Sequence, residues 1–189
     1  MAKHVMVDIE SLGTVPGSVI LSIGAVYFNF DKEEDLTNTF YYTIDIQSCL
    51  NKGLTIDGST IKWWLEQSDA ARKSLFIPAP EAIDIVLGKF AAWLKGHDYI
   101  WAHGSTFDIT MLDAAYRKVF GVNYFIPWHW RKVRDTRTLL WLVPGDVRHL
   151  KFKRAEITAV KHNALDDAVS QAQWIRDAFQ IIRRKPDGQ

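Results

Sequence analysis

The stretch Val5-Met6-Val7-Asp8-Ile9-Glu10 decides the fold, because it combines a strand pattern with two carboxylates. Its apolar residues favour a β-strand. Successive side chains of a strand point to opposite faces, so Asp8 and Glu10 project from the same face. Two carboxylates this close repel each other unless a cation lies between them, and hard divalent ions prefer oxygen ligands. The stretch therefore predicts either a metal-binding strand or an edge strand with one polar face.

Length and composition describe one globular domain. The chain has 189 residues, of which 48% are hydrophobic and 24% are charged, so we predict a single domain over 1–189 with a polar tail from about residue 184. No apolar run suits a membrane span or a secretory signal, and no membrane partner is expected. The single Cys49 fits a reducing cytoplasm. A net charge of +1 leaves nucleic-acid binding to local basic patches or to bound metal.

The order of predicted elements indicates an α/β fold. Strands at 5–10, 19–28 and 39–44 predict an antiparallel meander, and Gly24 predicts a bulge or a close approach of another backbone. Further on, the patterns predict a strand at 99–102 and helices at 107–120 and 162–182. The predicted helix starts between these segments are Ser59-Thr60, Ser68, Pro80-Glu81 and Asp135-Thr136. A meander followed by alternating strands and helices predicts a mixed sheet flanked by helices.

Two further motifs carry carboxylates. Phe107-Asp108 follows a buried strand, where Asp108 is either a helix cap or part of a ligand site at the carboxyl end of the sheet. The segment His162-Asn163-Ala164-Leu165-Asp166-Asp167 begins the last predicted helix. A histidine at a helix start is most often a surface or capping residue. The small Ala164 nevertheless lets a backbone or a ligand approach closely.

Together these motifs resemble those of the DEDDh group of 3′-to-5′ exonucleases, which has a ribonuclease H-like fold. Val7-Asp8-Ile9-Glu10, Phe107-Asp108 and His162-x-Ala164-x-x-Asp167 have the order and spacing of its three exonuclease motifs. Each motif is weak alone, but the three in order are specific. The resemblance covers nearly the whole chain and is greatest to the DexA and Rv2179c-like exoribonuclease type, some of which are called exonuclease VIII. Supporting stretches are Thr60–Gln67, Trp101–Asp108 and Arg134–Leu139.

The resemblance implies a metal-dependent exonuclease that releases nucleoside 5′-monophosphates from single-stranded DNA or RNA with a free 3′ end. Asp8, Glu10, Asp108 and Asp167 would hold two divalent ions, Mg²⁺ or Mn²⁺, roughly 3.5–4 Å apart. His162 would take a proton from the attacking water, since its ordinary pKa of about 6.5 lies near the working pH. A bacterial or phage-infected bacterial cytoplasm is implied as the location.

The resemblance leaves the roles of two residues, the type of nucleic acid and the oligomeric state open. The motif spacing selects Asp167 as a ligand and leaves Asp166 beside the site or at the surface. His103 stands where several relatives have a smaller polar residue, and packing is favoured over a substrate contact. The choice between DNA and RNA depends on contacts to the 2′-hydroxyl, which no motif reveals. A homodimer is also open, because relatives of this type often dimerise.

The predicted substrate-binding residues are Trp63, Trp64, His103 and Phe107. Neighbouring helix residues point in different directions, so we expect one tryptophan to be structural and the other to stack on a terminal base, the alternative being that both are core. Trp128–Lys132 alternates aromatic with basic residues, as single-strand-binding surfaces do. Lys151–Arg154 is either a phosphate contact or a solvated loop.

Two other classes compete with an active exonuclease. A nucleic-acid-binding module on an inactive nuclease fold is disfavoured, because all four carboxylates and His162 are present. Another ribonuclease H-like enzyme, such as an endonuclease or a transposase, would lack the histidine motif. Metal-dependent release of mononucleotides from an end-labelled oligomer separates the three.

Overall fold

A mixed five-stranded sheet forms the centre of the molecule. The computed structural model describes residues 2–30, 36–143 and 161–183. In the sheet order β3-β2-β1-β4-β5, the first three strands pair antiparallel, and β4 and β5 continue parallel to β1. This confirms the predicted fold class. The strands are β1 (His4–Ser11), β2 (Ile20–Phe28), β3 (Thr39–Thr43), β4 (Tyr99–Ala102) and β5 (Val133–Asp135).

Helices cover both faces of the sheet. Helix α7 packs on one face, while α4 and α5 contribute to a larger core on the other. The helices are α1 (Ile46–Asn51), α2 (Gly58–Leu65), α3 (Asp69–Ser74), α4 (Ile83–Trp93), α5 (Ser105–Phe120), α6 (Thr136–Trp141) and α7 (Ala164–Arg183), with a 3₁₀ turn at Trp130–Lys132. In the described part of the chain, no helix is long and apolar enough to span a membrane.

Strand β1 divides its side chains between the two cores. Val5, Val7 and Ile9 enter the larger core, whereas Met6 packs in the smaller core with α7 residues. Because strand side chains alternate, Asp8 and Glu10 lie on the same face as Met6, toward α7. Helix α7 therefore covers the carboxylate face of the first strand.

Gly24 is where α7 meets the sheet. It is the cross-strand partner of Asp8 on β2. A Cβ atom at this position would lie 2.1 Å from the carbonyl carbon of Ala164 and 2.2 Å from the backbone nitrogen of Leu165. Of the two predicted alternatives, the close backbone approach is therefore correct. The register irregularity of this strand pair lies elsewhere, between Glu10 and Ser11.

The capping predictions are right for two helices and wrong for one. Ser68 caps α3 and Asp135 caps α6, as predicted. Helix α2 is capped by Asp57, whose carboxylate accepts hydrogen bonds from the backbone N–H groups of Ser59 and Thr60. Ser59 and Thr60 are thus the residues capped, because a carboxylate directly before the first turn is a strong N-cap.

Two helices begin later than predicted. Helix α4 begins at Ile83 rather than at Pro80-Glu81, because the N–H of Glu81 bonds to the carbonyl of Thr43 at the end of β3. Helix α7 begins at Ala164, so His162 precedes the helix. The predicted basic run at 151–154 and the polar tail from about 184 lie outside the described residues.

Candidate active site

The four motif carboxylates meet at one edge of the sheet. Asp8 and Glu10 lie near the C-terminal end of β1. Asp108 lies in the first turn of α5, the helix that follows the parallel strand β4, and Asp167 lies in the first turn of α7. The residue at the N-cap of α5 is Gly104, so Asp108 does not cap this helix. Asp108 is buried. The C-terminal edge of parallel strands is where α/β folds build ligand sites.

The tightest part of the cluster contains Glu10, His162 and Asp167. Their ligand atoms all lie within 4.8 Å of one another. The backbone N–H of His162 donates to the Asp167 carboxylate at 3.1 Å, and His162 has a φ of 65°, in the left-handed region. His162 and Asp167 are therefore brought together by a turn. They do not share a helix face, because α7 begins only at Ala164.

Burial and mutual repulsion make the carboxylates hard to ionise. Burial, followed by the charges of Asp108 and Glu10, raises the pKa of Asp8 well above its usual range. Burial and the charges of Asp167 and Asp108 raise the pKa of Glu10 to about 8. Burial also raises the pKa of Asp108 to about 7, although its carboxylate accepts backbone hydrogen bonds. A cluster of this kind is stable in its ionised form only when cations neutralise it.

Gln171 is a site residue that the sequence reasoning missed. Its Nε2 donates to Asp8 Oδ1 at 2.8 Å, and this bond opposes the rise in the pKa of Asp8. The side chain is buried, and within the described residues its Oε1 accepts no hydrogen bond. Gln171 follows Asp167 by four positions, which places both on one helix face. This four-residue spacing from Asp167 could have indicated from the sequence that Gln171 faces the site.

His162 lies against two tryptophan rings. Its ring centroid is 4.9 Å from that of Trp63 and 6.3 Å from that of Trp64, both edge-to-face. Burial lowers the pKa of His162, while the charge of Asp167 acts in the opposite direction. A lowered pKa keeps the imidazole neutral at physiological pH, in the form that accepts a proton.

Trp63 and Trp64 differ in burial, as expected if one is structural and the other is available for stacking. Trp64 is 5% exposed and its Nε1 donates to the Ser11 carbonyl at 2.9 Å, whereas Trp63 is 40% exposed. Both line a pocket of about 440 Å³ beside Glu10, together with Phe107. The other lining residues are Ile9, Ser11, Gly13, Thr14, Ser59 and Thr60.

We expect alanine substitutions to separate the two tryptophans. Trp64→Ala should lower folding stability by about 3–5 kcal/mol, the usual cost of removing a buried aromatic ring. Trp63→Ala should leave stability nearly unchanged and weaken single-strand binding by about 1–3 kcal/mol, the value of one stacked base. Melting temperature and oligonucleotide affinity check both. Unchanged affinity in Trp63→Ala would remove the stacking role.

His103 packs, as the sequence favoured. Its Nδ1 lies 2.7 Å from Thr136 Oγ1, and its ring meets that of Trp174 edge-to-face at 5.9 Å. Burial lowers the pKa of His103. Among the described residues, His103 does not line the pocket.

Asp166 lies in the first turn of α7, and its backbone N–H donates to the Asn163 side chain, which caps the helix.

The stretch 128–132 is only partly a surface. Trp128 is buried in the larger core, and Lys132 Nζ donates to the His97 carbonyl at 3.0 Å. Trp130 is exposed, with the Arg131 guanidinium 5.0 Å from its ring centroid. The predicted single-strand surface is thus reduced to His129, Trp130 and Arg131, for which the role stays a prediction.

Three solved structures that resemble this chain are those of nucleases. The nuclease domain of 3′hExo, a DEDDh family member bound to rAMP, is 14% identical, with 99% of this chain and 97% of that chain covered and a TM-score of 0.54. Exonuclease I is 14% identical over 94% of this chain and 41% of that chain, with a TM-score of 0.60. The zinc-bound E. coli ExoI–ssDNA complex is 13% identical over 98% and 42%, with a TM-score of 0.59. This chain therefore spans less than half of exonuclease I, and the likeness defines a ribonuclease H-like DEDDh nuclease fold.

The family follows from the sequence itself. The model of the 3′-5′ exoribonuclease Rv2179c-like domain matches residues 3–179. The chain belongs to this family and is a 3′-to-5′ exonuclease, which confirms the resemblance drawn from the three motifs. No curated protein matches the chain.

Proposed function

We propose that this exonuclease requires divalent metal ions and shortens single-stranded nucleic acid from a free 3′ end, releasing nucleoside 5′-monophosphates. The observation that carries the proposal is the partly buried acidic cluster, in which ligand atoms of Glu10 and Asp167 lie within 4.8 Å of one of His162. A binding module on an inactive fold would have no use for a cluster whose carboxylates destabilise one another.

The donor set fits hard divalent cations. Carboxylate oxygens are the ligands that Mg²⁺ and Mn²⁺ prefer. Burial and mutual repulsion raise the pKa values of Asp8 and Glu10, and bound cations would offset both effects. Asp8, Glu10, Asp108 and Asp167 would hold two such ions. When bound, the ions stabilise the negative charge on the attacking and leaving oxygens of phosphoryl transfer.

His162 accepts the proton from the attacking water in this proposal. Its neutral form supplies a free ring nitrogen, and burial beside Trp63 and Trp64 favours that form. The hydrogen bond from its backbone to Asp167 holds the turn next to the carboxylates. Gln171 holds Asp8 in the orientation that faces the cluster.

The pocket beside Glu10 suits the terminal nucleoside. Its tryptophan and phenylalanine walls offer stacking surfaces, which every base can use. A base must leave its duplex partner to enter, so the proposal is for single-stranded ends. Thr14 and Thr60 bring hydroxyl groups to the lining, where they suit the ribose 2′-hydroxyl. Together with the family description, these hydroxyls favour RNA over DNA.

A degradation assay tests the proposal. Matched single-stranded RNA and DNA, labelled at the 3′ or the 5′ end, are incubated with Mg²⁺, with Mn²⁺ or with chelator. We expect 3′-labelled mononucleotide as the first product, only with metal, and faster from RNA. Binding without release would indicate the inactive module, and cleavage of a circular strand would indicate an endonuclease. Equal rates on RNA and DNA would contradict only the RNA preference.

Metal binding should stabilise the fold, and more so at high pH. The pKa of Glu10 rises from 4.5 to about 8 on folding, so metal-free stability falls as pH rises between these values. Ions that bind only the folded, deprotonated site reverse this loss. We expect Mg²⁺ to raise the melting temperature more at pH 8 than at pH 5. Potassium chloride at matched ionic strength should not do so, and an equal effect would refute specific binding.

We also propose that the protein is cytoplasmic and that it forms a homodimer. Cys49 is the single cysteine of the sequence and is a buried free thiol, so no internal disulfide is possible, which suits a reducing compartment. Sedimentation of the purified protein determines the oligomeric state.

A further inference from the structure

Arg137 places a guanidinium at the rim of the active site. It is the second residue of α6, and its side chain lies against Gly104 at the start of α5. A Cβ atom at Gly104 would lie 2.7 Å from Arg137 Nη1 and 3.1 Å from Cζ. Gly104 has a φ of 103°, which side chains rarely adopt. Gly104 therefore allows both the turn into α5 and the close approach of the Arg137 guanidinium.

The Asp135 carboxylate links the backbone of Arg137 to the start of α5 through two hydrogen bonds. Asp135 Oδ2 accepts the backbone N–H of Ser105 at 2.6 Å, and Asp135 Oδ1 accepts the backbone N–H of Arg137 at 2.8 Å. Asp135 thus bonds the first residue of α5 and the second of α6 at once. The base of the Arg137 side chain is held in place before any ligand arrives.

The guanidinium itself has no protein partner among the described residues. Other arginines are engaged: Arg117 pairs with Asp113, and Arg134 donates to backbone carbonyls. Arg137 is exposed, and no hydrogen bond or ion pair involves its guanidinium in the described part of the chain. Its charge nevertheless acts on the site, since it opposes the rise that burial causes in the pKa of Asp108. An exposed, prepositioned cation beside a carboxylate cluster suits a ligand that is anionic.

The pocket geometry indicates which anion. Arg137 is not among the residues that line the pocket beside Glu10, so it does not contact the terminal nucleoside there. A strand whose 3′-terminal nucleoside occupied this pocket would continue out of it in the 5′ direction. We propose that Arg137 binds a backbone phosphate of the substrate strand 5′ of the scissile bond. This rests on the proposed function. The planar guanidinium matches phosphate in a bidentate manner and counters the repulsion between the strand and the carboxylates.

The test begins with Arg137→Gln, which keeps the aliphatic stem over Gly104 and removes the charge, and with Arg137→Ala. We expect KM for a single-stranded oligonucleotide to rise about 10–100-fold, with the salt dependence of binding reduced by about one phosphate contact. Arg137→Lys should recover only part of the loss. The control is Lys118→Ala, a cation about 20 Å away at the other end of α5, which should change neither quantity.

Substrates with one neutral methylphosphonate linkage then locate the contact. We expect the wild type to lose affinity at one linkage on the 5′ side, and Arg137→Gln to be insensitive to neutralisation of that same linkage. A structural role for Arg137 would lower stability without producing this linkage-specific effect. Identical linkage profiles for wild type and variant would overturn the inference. A wild type that releases no nucleotide from any substrate would overturn the proposed function instead.

Discussion

Asp8→Asn is expected to abolish nearly all turnover while making the metal-free protein more stable. The proposed ions each supply several kcal/mol of transition-state stabilisation, and 1.4 kcal/mol corresponds to a factor of ten. Loss of this proposed ligand should therefore lower kcat by about 10³-fold or more. Stability should change in the opposite direction, because the variant removes a buried group that resists ionisation.

The sign of the stability change follows from the pKa of Asp8. Burial and the neighbouring carboxylates raise this pKa above its ordinary value of 3.8. A raised carboxyl pKa means that metal-free stability is lost as pH rises above that value. Asparagine has no charge to bury, so we expect the melting temperature of the metal-free variant at pH 8 to rise by about 2 °C or more. The gain should shrink as pH falls toward 4.

The matched control for Asp8→Asn is Asp177→Asn. Asp177 lies ten positions after Asp167 on α7, about 15 Å along the helix. It accepts a hydrogen bond from Gln173 that asparagine can still accept. The control should keep wild-type turnover and stability. If Asp8→Asn retained most of its turnover, Asp8 would not be a metal ligand.

His162→Ala is expected to lower kcat by about 10²–10⁴-fold, the usual contribution of a general base. Metal-dependent stabilisation should be nearly unchanged, since the carboxylates remain. The measurement is single-turnover hydrolysis with saturating metal, alongside a metal titration followed by melting temperature. A normal rate with weakened metal affinity would instead make His162 a ligand.

The pH profile identifies the base directly. Burial lowers the pKa of His162 below its ordinary 6.5, so the neutral form persists to lower pH. We expect wild-type kcat to rise with pH up to a pKa below 6.5 and then to level off. His162→Ala should lose this ascending limb. A variant that keeps the same limb would assign the titration to another group.

Local periodicity was sufficient to predict the carboxylate face. Alternation along β1 placed Asp8 and Glu10 together, and the motif spacing added Asp108, because these inferences depend on the geometry of single elements and short turns. The short helix α1 and its Asp45 cap were not predicted, because six residues carry too little periodicity.

Tertiary contacts account for what the sequence could not predict. The left-handed turn at His162 depends on its bond to Asp167 and on the rings of Trp63 and Trp64. The identity of the backbone that approaches Gly24 was equally hidden, because Ala164 is 140 positions away along the chain. Gln171 was accessible in principle through its spacing from Asp167. The proposed preference for RNA depends on where the pocket hydroxyls would meet a ribose, which no local pattern encodes.

The position of α7 has a consequence for the enzyme while it is being synthesised. A growing chain that has reached Phe120 already contains Asp8, Glu10 and Asp108, but it lacks the proposed base and the fourth carboxylate. These arrive only when the segment from His162 onward leaves the ribosome and α7 docks against Gly24. With the roles proposed for His162 and Asp167, we expect the growing chain to gain nuclease activity only after α7 has docked.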